Sequence, residues 1–504
     1  MAEVFLSTKE TSKATQRAVE RGLARKLGPR LYTSNMDDSP EQIIRRNLWQ
    51  VIDAYAPGAL IADRTALELA PADDGSIFIV SNRRRDVVLP GITIKSRGDG
   101  KPTDGDLPFM GGSLRLSSPH RSLLDNLRRF RTQRGSASRT LGQEGVEAYM
   151  ERIAATGGAD ALGRVVDAAS RVAASIGRES ELRRLQGMFA ELSGGAAGWL
   201  KTPLAKARAQ GEPYDPASCA RFDRMVAALR LLPRPGLPSR LDAGGEAWHA
   251  FAFFDAYFSN YIEGTELTLD EAAGIVFRGH RPPGREADAQ DMAGLWTVLS
   301  NAGAMRRPPQ TADGFLADLR QRHAIVMRGR PEAVPGAFKS LRNRIGAKEF
   351  VSPESVAGTL REGFHRLAAL TDPFNRAVFM HFLIAEVHPF TDGNGRMARL
   401  MMNVELNAAG LQPILIPTAY RENYLAAQRS PSAGNAPETL PRALHRIQQW
   451  ACGISWKDGV DAAARELKAR HAFMTEAELD DLNLRLLDAP EDGPKASEPS
   501  IESH

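Results

Sequence analysis

The sequence predicts a multidomain protein: a mainly α domain over residues 216–460, preceded by a small winged-helix-like domain and an α+β domain. Three observations predict it. From about Ala217 to Trp456 the apolar residues recur at helical spacing almost without interruption, broken only by Pro/Gly loops at 281–284 and 330–336. Residues 41–135 instead alternate short helical and strand-like runs. Ahead of both lies a short basic helix followed by a hairpin pattern. With 504 residues and 42% hydrophobic composition, the chain has material for roughly two to four globular units.

The elements follow in order. Ser12 to Gly22 reads as helix, and Leu23 to Tyr32 as strand, turn, strand. Residues 13–35 carry Lys13, Arg17, Arg21, Arg25, Lys26 and Arg30 against one acid, Glu20. A helix with a cation every four residues, then a basic hairpin, is the pattern of a winged helix-turn-helix over residues 1–40. Its helix would enter a major groove and its wing would meet phosphate, making Lys13, Arg17, Arg21, Arg25 and Lys26 the DNA-binding candidates. Met1 to Glu10 leaves little room for a complete first helix, and a solvated basic helix and hairpin would carry the same charges. Residues 41–140 predict helices near Pro40–Ala54 and Thr65–Leu69, strands at Ser76–Ser81, Val87–Leu89, Gly91–Lys95 and Gly112–Leu116, and a helix from Pro119 to Arg131. Arg83-Arg84-Arg85 falls in a turn. Both segments together resemble AbiEi-type antitoxin regulators. Residues 141–215 read as a helical connector, helical from Gly142 to Leu192 and loose from 193 to 215, packed on the domain that follows. Residues 461–504 read as a C-terminal helix and a polar tail, Ala489–His504, whose three prolines predict disorder.

Chemistry concentrates in His388-Pro389-Phe390-Thr391-Asp392-Gly393-Asn394-Gly395-Arg396-Met397-Ala398-Arg399. Helix-forming, apolar runs flank it on both sides, Asn375 to Val387 and Arg396 to Ala409, the second stopped by Gly410. The glycines permit positive φ and close approach of an anion, and the amides that open the second helix form a nest that binds phosphate. Arg396 and Arg399, three apart, can face one anion. Asp392 is a hard oxygen ligand suited to Mg²⁺ that bridges phosphates. His388 has the unperturbed pKa of a general base.

This run resembles the Fic (Fic/Doc) signature, His-Pro-Phe-x-Asp-Gly-Asn-Gly-Arg-x-x-Arg, at each of its nine defined positions. The resemblance implies a protein adenylyltransferase with ATP as substrate and Mg²⁺ as metal. His388 would deprotonate a Ser, Thr or Tyr of a target protein, which attacks the α-phosphate. Asp392 would hold the metal, Asn394, Gly395 and Arg396 would line the anion hole, Gly393 would join them in binding the nucleotide, and Arg399 would take the γ-phosphate.

Two further segments support that resemblance. Tyr257 to Gly264 ends an aromatic, apolar run, with Ser259 and Glu263 one helical turn apart and Gly264 as C-cap. It looks like the Fic inhibitory motif, in which Glu263 would pair with Arg399 and occupy the γ-phosphate site. The stretch Pro335 to Pro353 reads as a hairpin and is similar to the Fic flap, so Lys348, Glu349, Phe350 and Val351 would pair with a target segment as an added strand. Asn423 and Tyr424 match the position where the family stacks adenine, with Asn423 in place of a more usual acidic or aromatic residue.

Composition sets the remaining bounds. Net charge is +4 with a pI near 9.0, so any nucleic-acid signal is local. The two cysteines, Cys219 and Cys452, fit a reducing compartment and exclude a disulfide scaffold or cysteine-based zinc finger. His381, seven residues before His388, has no carboxylate at ligand spacing and reads as a packed residue. There is no Walker A run, no His-Glu-x-x-His, no apolar run of membrane-spanning length and no long apolar leader, which predicts a cytoplasmic protein without membrane partners. A second reading is a DNA-binding, antitoxin-like regulator whose Fic domain senses nucleotide or modifies itself. A third keeps the enzyme but has it remove AMP or move another group.

Overall fold

Three short strands and one helix open the chain: β1 (Val4–Leu6), α1 (Ser12–Glu20), β2 (Arg25–Gly28) and β3 (Leu31–Thr33). The computed structural model describes residues 3–83, 85–98, 100–132, 134–231, 236–433 and 436–486. The strands form an antiparallel sheet in the order β1-β3-β2, with Thr33 opposite both Val4 and Arg25. The helix, the hairpin and its turn match the sequence expectation. The expected helix-turn-helix does not: a strand stands where its first helix would be. Val4-Phe5-Leu6 are three β-favouring residues, and pairing with β3 satisfies their backbone. Helix α1 buries only Thr15.

The chain divides into two units, Met1–Gly211 and Glu212–His504. In the first, α2 (Pro40–Arg46) and α3 (Leu48–Tyr55) replace the single expected helix. Ser39 and Gln42 form a capping box at the start. The break falls at Asn47, whose side-chain amide donates to Ile43 O and Glu3 Oε2 at 2.9 and 2.7 Å. After β4 (Leu60–Ile61) and α4 (Asp63–Glu68) come β5 (Ser76–Val80), β6 (Val87–Leu89), β7 (Ile92–Arg97), β8 (Leu107–Pro108) and β9 (Arg115–Leu116). They build a six-stranded mixed sheet in the order β6-β7-β5-β4-β9-β8. Val4, Leu27 and Leu31 share one core with Ile43, Ile61, Ile77 and Ile94, so no domain boundary falls at residue 40. Arg83 donates to Tyr55 O at 2.7 Å; Arg84, the centre of the basic triplet, lies outside the described residues.

Helices α5 (Pro119–Leu127), α6 (Gly142–Val172, kinked at Gly158), α7 (Glu179–Leu192) and α8 (Pro203–Ala209) complete this unit. Leu123 and Leu127 pack with Val146, Leu185 and Ala205 in a single core. The expected connector on the following domain is therefore corrected: these helices belong with α5. The Gly-rich stretch that read as a loose boundary is held by two buried carboxylates. Glu191 accepts from the amides of Gly198, Trp199 and Leu200, and Glu147 from those of Lys201 and Thr202.

The second unit is helical: α9 (Pro216–Leu231), α10 (Glu246–Ile262), α11 (Leu269–Arg278), α12 (Glu286–Leu299), α13 (Ala312–Val326), α14 (Val356–Ala368), α15 (Pro373–Val387), α16 (Asn394–Ala408), α17 (Arg421–Ala433), α18 (Thr439–Cys452), α19 (Gly459–Ala469) and α20 (Glu476–Asp481). The hairpin β10 (Arg344–Ile345) and β11 (Lys348–Glu349) interrupts it where the sequence predicts one. Every residue of α15 from Ala377 to Val387 is buried, which fixes both ends of the turn that follows. Ala463 and Leu467 join the same core as Phe222, Phe379 and Trp456, so the core runs past residue 460. The expected disordered tail, Ala489–His504, lies outside the described residues. Among the described residues no helix is long and apolar enough to cross a membrane.

Candidate active site

The site is built on the turn between α15 and α16. His388 caps α15 in the left-handed region, φ 53°, with its N–H on Ile384 O at 2.9 Å. A non-glycine residue held there stores about 1–2 kcal/mol of strain. The next residues over-determine it. Phe390 is buried and stacks on His323 with ring centroids 3.6 Å apart. The Asn394 side chain closes the loop on itself, accepting from Phe390 N at 2.8 Å and donating to Phe390 O at 2.9 Å. His323 pins the far side: Nε2 donates to Asp392 O at 3.0 Å and Nδ1 accepts from Gly336 N at 2.9 Å. Burial holds this imidazole down to about 4, and the neutral ring is the form that can do both.

His388 is also buried enough to hold its imidazole down to about 4, with Lys339 adding to the effect. It is therefore neutral near pH 7, the state a proton acceptor needs. The flap covers it: Phe350 stacks on the His388 ring at 3.9 Å and 15°. Lys348 ties the flap down through Glu386 at 2.7 Å and Ser432 at 3.1 Å. Glu386 is buried and also takes Arg221. Lys339 is buried, its ammonium held down to about 8 by burial, and donates to Asn343 Oδ1 at 2.7 Å. Asn343 in turn binds Phe390 O and the Phe350 amide. Glu349 is exposed, whereas Val351 is buried in the core, so Val351 is an anchor of the flap and not part of its face.

Helix α16 opens with a cradle of backbone amides. Among the described residues none accepts from the amides of Asn394, Gly395 and Arg396, the free donors of a helix N-terminus. Gly393 takes φ +78°, and a Cβ there would meet Met327 Sδ at 2.6 Å. Asp392 is exposed at the mouth, its Oδ1 accepting from Gly393 N at 2.6 Å.

A carboxylate lies across this cradle. Glu263 caps α10, Gly264 turns the chain away at φ +91°, and Glu263 Oε1 sits where a Cβ on Gly395 would be. Arg399, only 3% exposed, donates to Glu263 Oε1 at 2.7 Å, to Ser259 Oγ at 2.9 Å and to Ser259 O at 2.9 Å. The pairing expected of Glu263 with Arg399 is present, and Ser259, one turn earlier on the same face, joins it.

Three expected site residues do not take the roles expected of them. Arg396 does not join Arg399 on one anion. Its guanidinium points into the core, bonded to Asp291 at 3.1 Å and Asn260 Oδ1 at 3.0 Å, and only its amide faces the cradle. Tyr424 is fully buried, its hydroxyl 2.6 Å from His381 Nε2 and also hydrogen-bonded to Arg399, so it supports that arginine from within the core and its ring is closed to an adenine. Asn423 donates to Glu476 at 3.0 Å on the outer face of α17. His381 is the packed residue the spacing implied. The sequence reading missed Asp291, Asn260, His323, Lys339 and Glu386. Asp291, Asn260 and His323 reach the site from other helices and Lys339 from a loop; the signal for Asp291, Asn260, His323 and Glu386 is a charged or polar residue inside a largely buried helix.

At the other end of the chain Lys13, Arg17, Arg21 and Lys26 are exposed. Arg25 is not available to DNA in the same way: it is half-buried, donating to Asn35 O at 3.0 Å and to Asp38 O.

Fold and site define a helical domain whose central turn offers a neutral imidazole and a cradle of helix N-terminal amides beside a carboxylate. Residues 315–406 match the model of the Fic/DOC family, so the chain carries a Fic domain. Similar curated proteins are protein adenylyltransferase fic-1 of Caenorhabditis elegans, 41% identical over 64 residues (13% of each chain), and protein adenylyltransferase Fic of Drosophila melanogaster, 46% identical over 52 residues (10% of this chain and 11% of that one). The chain thus spans about an eighth of the length of the curated relatives it matches. Among solved structures, a fragment of Fic-1 from C. elegans aligns over 65% of this chain and 94% of its own, with 18% identity and a TM-score of 0.34.

Proposed function

We propose that this chain is a self-inhibited protein adenylyltransferase, transferring AMP from ATP to a Ser, Thr or Tyr hydroxyl of a target protein. The observation that carries it is the Glu263 carboxylate lying over Gly395 and bonded to Arg399, beside three open amides of α16. A carboxylate held there occupies ground that suits a phosphate. In this reading the amides of Asn394, Gly395 and Arg396 take the anionic oxygens, and Arg399 takes the terminal phosphate once Glu263 leaves. Their fixed donors neutralise charge without reorganising.

His388, neutral and held at a strained position, accepts the proton of the target hydroxyl as its oxygen attacks the α-phosphorus. The bond from that phosphorus to the bridging oxygen breaks, and pyrophosphate leaves. Mg²⁺ typically binds through one or two carboxylates plus substrate phosphates, and the exposed Asp392, with one oxygen held by Gly393 N–H, fits that demand. Bound there, the ion would neutralise charge on the phosphates. The flap edge at Lys348 and Glu349 would receive the target segment as an added strand; Phe350 would hold the base beneath it. Names of the curated relatives support the group transferred.

The test is incorporation of label from radiolabelled ATP into lysate proteins and into the chain itself. Glu263→Gly should label strongly and Glu263→Gly with His388→Ala should not. Equal, low labelling by all three proteins removes the reading.

A second activity, DNA binding through α1, is favoured by one observation: Lys13, Arg17, Arg21 and Lys26 stand exposed on or beside a helix that buries a single residue. Deleting residues 1–40 would remove Val4, Leu27 and Leu31 from a shared core, so charge reversal is the sound test. Arg17→Glu with Arg21→Glu should abolish retardation of the chain's own promoter DNA; unchanged retardation ends this reading.

A further inference from the structure

Away from the His388 turn, the second unit holds a cavity of about 880 Å³ between the start of α17 and helices α18, α19 and α20. That lies within the size range of small-molecule sites, about 300–1,000 Å³. One wall is apolar, with Ile447 and Leu479 beside the indole of Trp450. The rest of the lining carries Arg446, Arg470 and Arg485.

The polar groups are unevenly matched. Arg470 is 5% exposed and its Nη1 is buried without an acceptor, although Nη2 reaches Gly453 O and Glu466. A buried donor left so costs about 1–3 kcal/mol unless something accepts from it. Of the three acids in the lining, Glu466 is already taken by Arg470 and the Ser455 amide, and Glu476 by Asn423. Asp480 remains. With Arg470 and Glu466 paired, Arg446 and Arg485 border the space against one uncommitted carboxylate. His471 Nδ1 bonds Arg485 O at 2.9 Å, which fixes the backbone that carries the third arginine.

We propose that this cavity is a binding site for a small amphipathic anion, distinct from the nucleotide cradle. A flat apolar body lies against Trp450 and Ile447. Its carboxylate, sulfonate or phosphate group accepts from the exposed Arg446 and Arg485.

The probe is 1-anilinonaphthalene-8-sulfonate, compared with N-phenyl-1-naphthylamine, the same body without the anion. Both are titrated into the full chain, reading probe emission excited through tryptophan. The sulfonate should bind once per chain and about tenfold more tightly than the neutral probe, the gain of one charge-assisted hydrogen bond. Arg446→Glu and Arg485→Glu, both at exposed positions, should each weaken the sulfonate about tenfold and leave the neutral probe unchanged. Ala469→Trp, which fills the cavity from its exposed rim, should abolish both, with the thermal transition retained as a check on folding. Equal affinity for the two probes, indifference to Arg446→Glu, or survival of binding in Ala469→Trp overturns the proposal. Displacement of the sulfonate by Mg·ATP in the Glu263→Gly protein would assign the cavity to the nucleotide site and also overturn it. So would binding that appears only once residues 487–504 are removed. The readout needs no turnover, so failure of the transferase reading leaves it standing, and the reverse.

Discussion

Glu263 Oε1 lies 2.7 Å from Arg399 Nη2, and the same oxygen occupies the space a Cβ on Gly395 would need. One carboxylate thus satisfies a nearly buried guanidinium and takes the space over Gly395. Removing it empties both places at once. Glu263→Gly should raise incorporation of label from ATP by about ten- to a hundredfold, the equivalent of one charge-assisted bond no longer competing. Arg399→Ala should not give the same gain, since the group proposed to receive the terminal phosphate is lost with the lock. A matching gain in both variants would show that Glu263 acts by some route other than this pair.

His388→Ala in the Glu263→Gly background should reduce labelling by about a hundred- to ten-thousandfold, the range for a lost general base. Binding of Mg·ATP, measured by calorimetry, should be nearly unchanged, because the cradle is backbone and Arg399. Loss of heat together with loss of turnover would mean that the imidazole holds the nucleotide and does not take the proton.

Asp291 has a side chain with no exposure and pairs with both Arg396 at 3.1 Å and Arg330 at 2.7 Å. Asp291→Ala leaves Arg396 charged inside the core, which costs about 3–5 kcal/mol. A clear fall in the midpoint of chemical denaturation is the expected outcome. Asp291→Asn should fall less, because its amide oxygen still accepts. An unchanged midpoint for Asp291→Ala would mean that water reaches Arg396.

Stability should also fall in mild acid. Burial holds His388 and His323 down to about 4 and His381 to about 3, against about 6.5 in the unfolded chain. Their contribution is complete above pH 6.5 and is lost as pH falls through that value toward 4, because the unfolded chain takes up protons first. Asp255, raised to about 7 by burial, acts in the opposite sense over the same window, as do Asp291 and Glu405, also raised by burial, while His120, lowered by burial, joins the three rings. The thermal midpoint should drop between pH 7 and 4.5, and replacing His381 by Gln should flatten that drop. A midpoint that holds steady to pH 4.5 would show these rings solvated.

Much of the site was legible because its geometry is local. A helix, a two-glycine turn and a second helix place His388, Asp392 and the cradle amides without help from elsewhere, and Ser259 and Glu263 share a face by spacing alone. What the sequence did not disclose depends on which way a side chain turns within a packed helix. Arg396 and Arg399 are neighbours on α16, yet one meets Asp291 on α12 and the other Glu263 on α10. At the start of the chain Val4-Phe5-Leu6 is too short to carry a period, and only its pairing with β3 settles it as strand. The misplaced connector has the same cause: α6 presents apolar residues to any partner, and nothing in its sequence names α5.

Tyr424 gives the sharpest separation of sequence expectation from structure. Its hydroxyl meets His381 Nε2 at 2.6 Å with no exposure, while His381 Nδ1 is buried without an acceptor. Tyr424→Phe therefore deprives the imidazole of its bonded partner and should lower stability by about 1–3 kcal/mol. The hydroxyl also hydrogen-bonds Arg399, so Mg·ATP binding to the Glu263→Gly protein should weaken only by the loss of that support, while the phenyl ring keeps the packing. An adenine-stacking tyrosine would behave differently: Phe would be neutral for stability, and Ala would weaken nucleotide far more than it weakened the fold. Measuring denaturation midpoints and nucleotide affinity for Phe and Ala at this position distinguishes the two, and neutral stability for Phe would return Tyr424 to the nucleotide site.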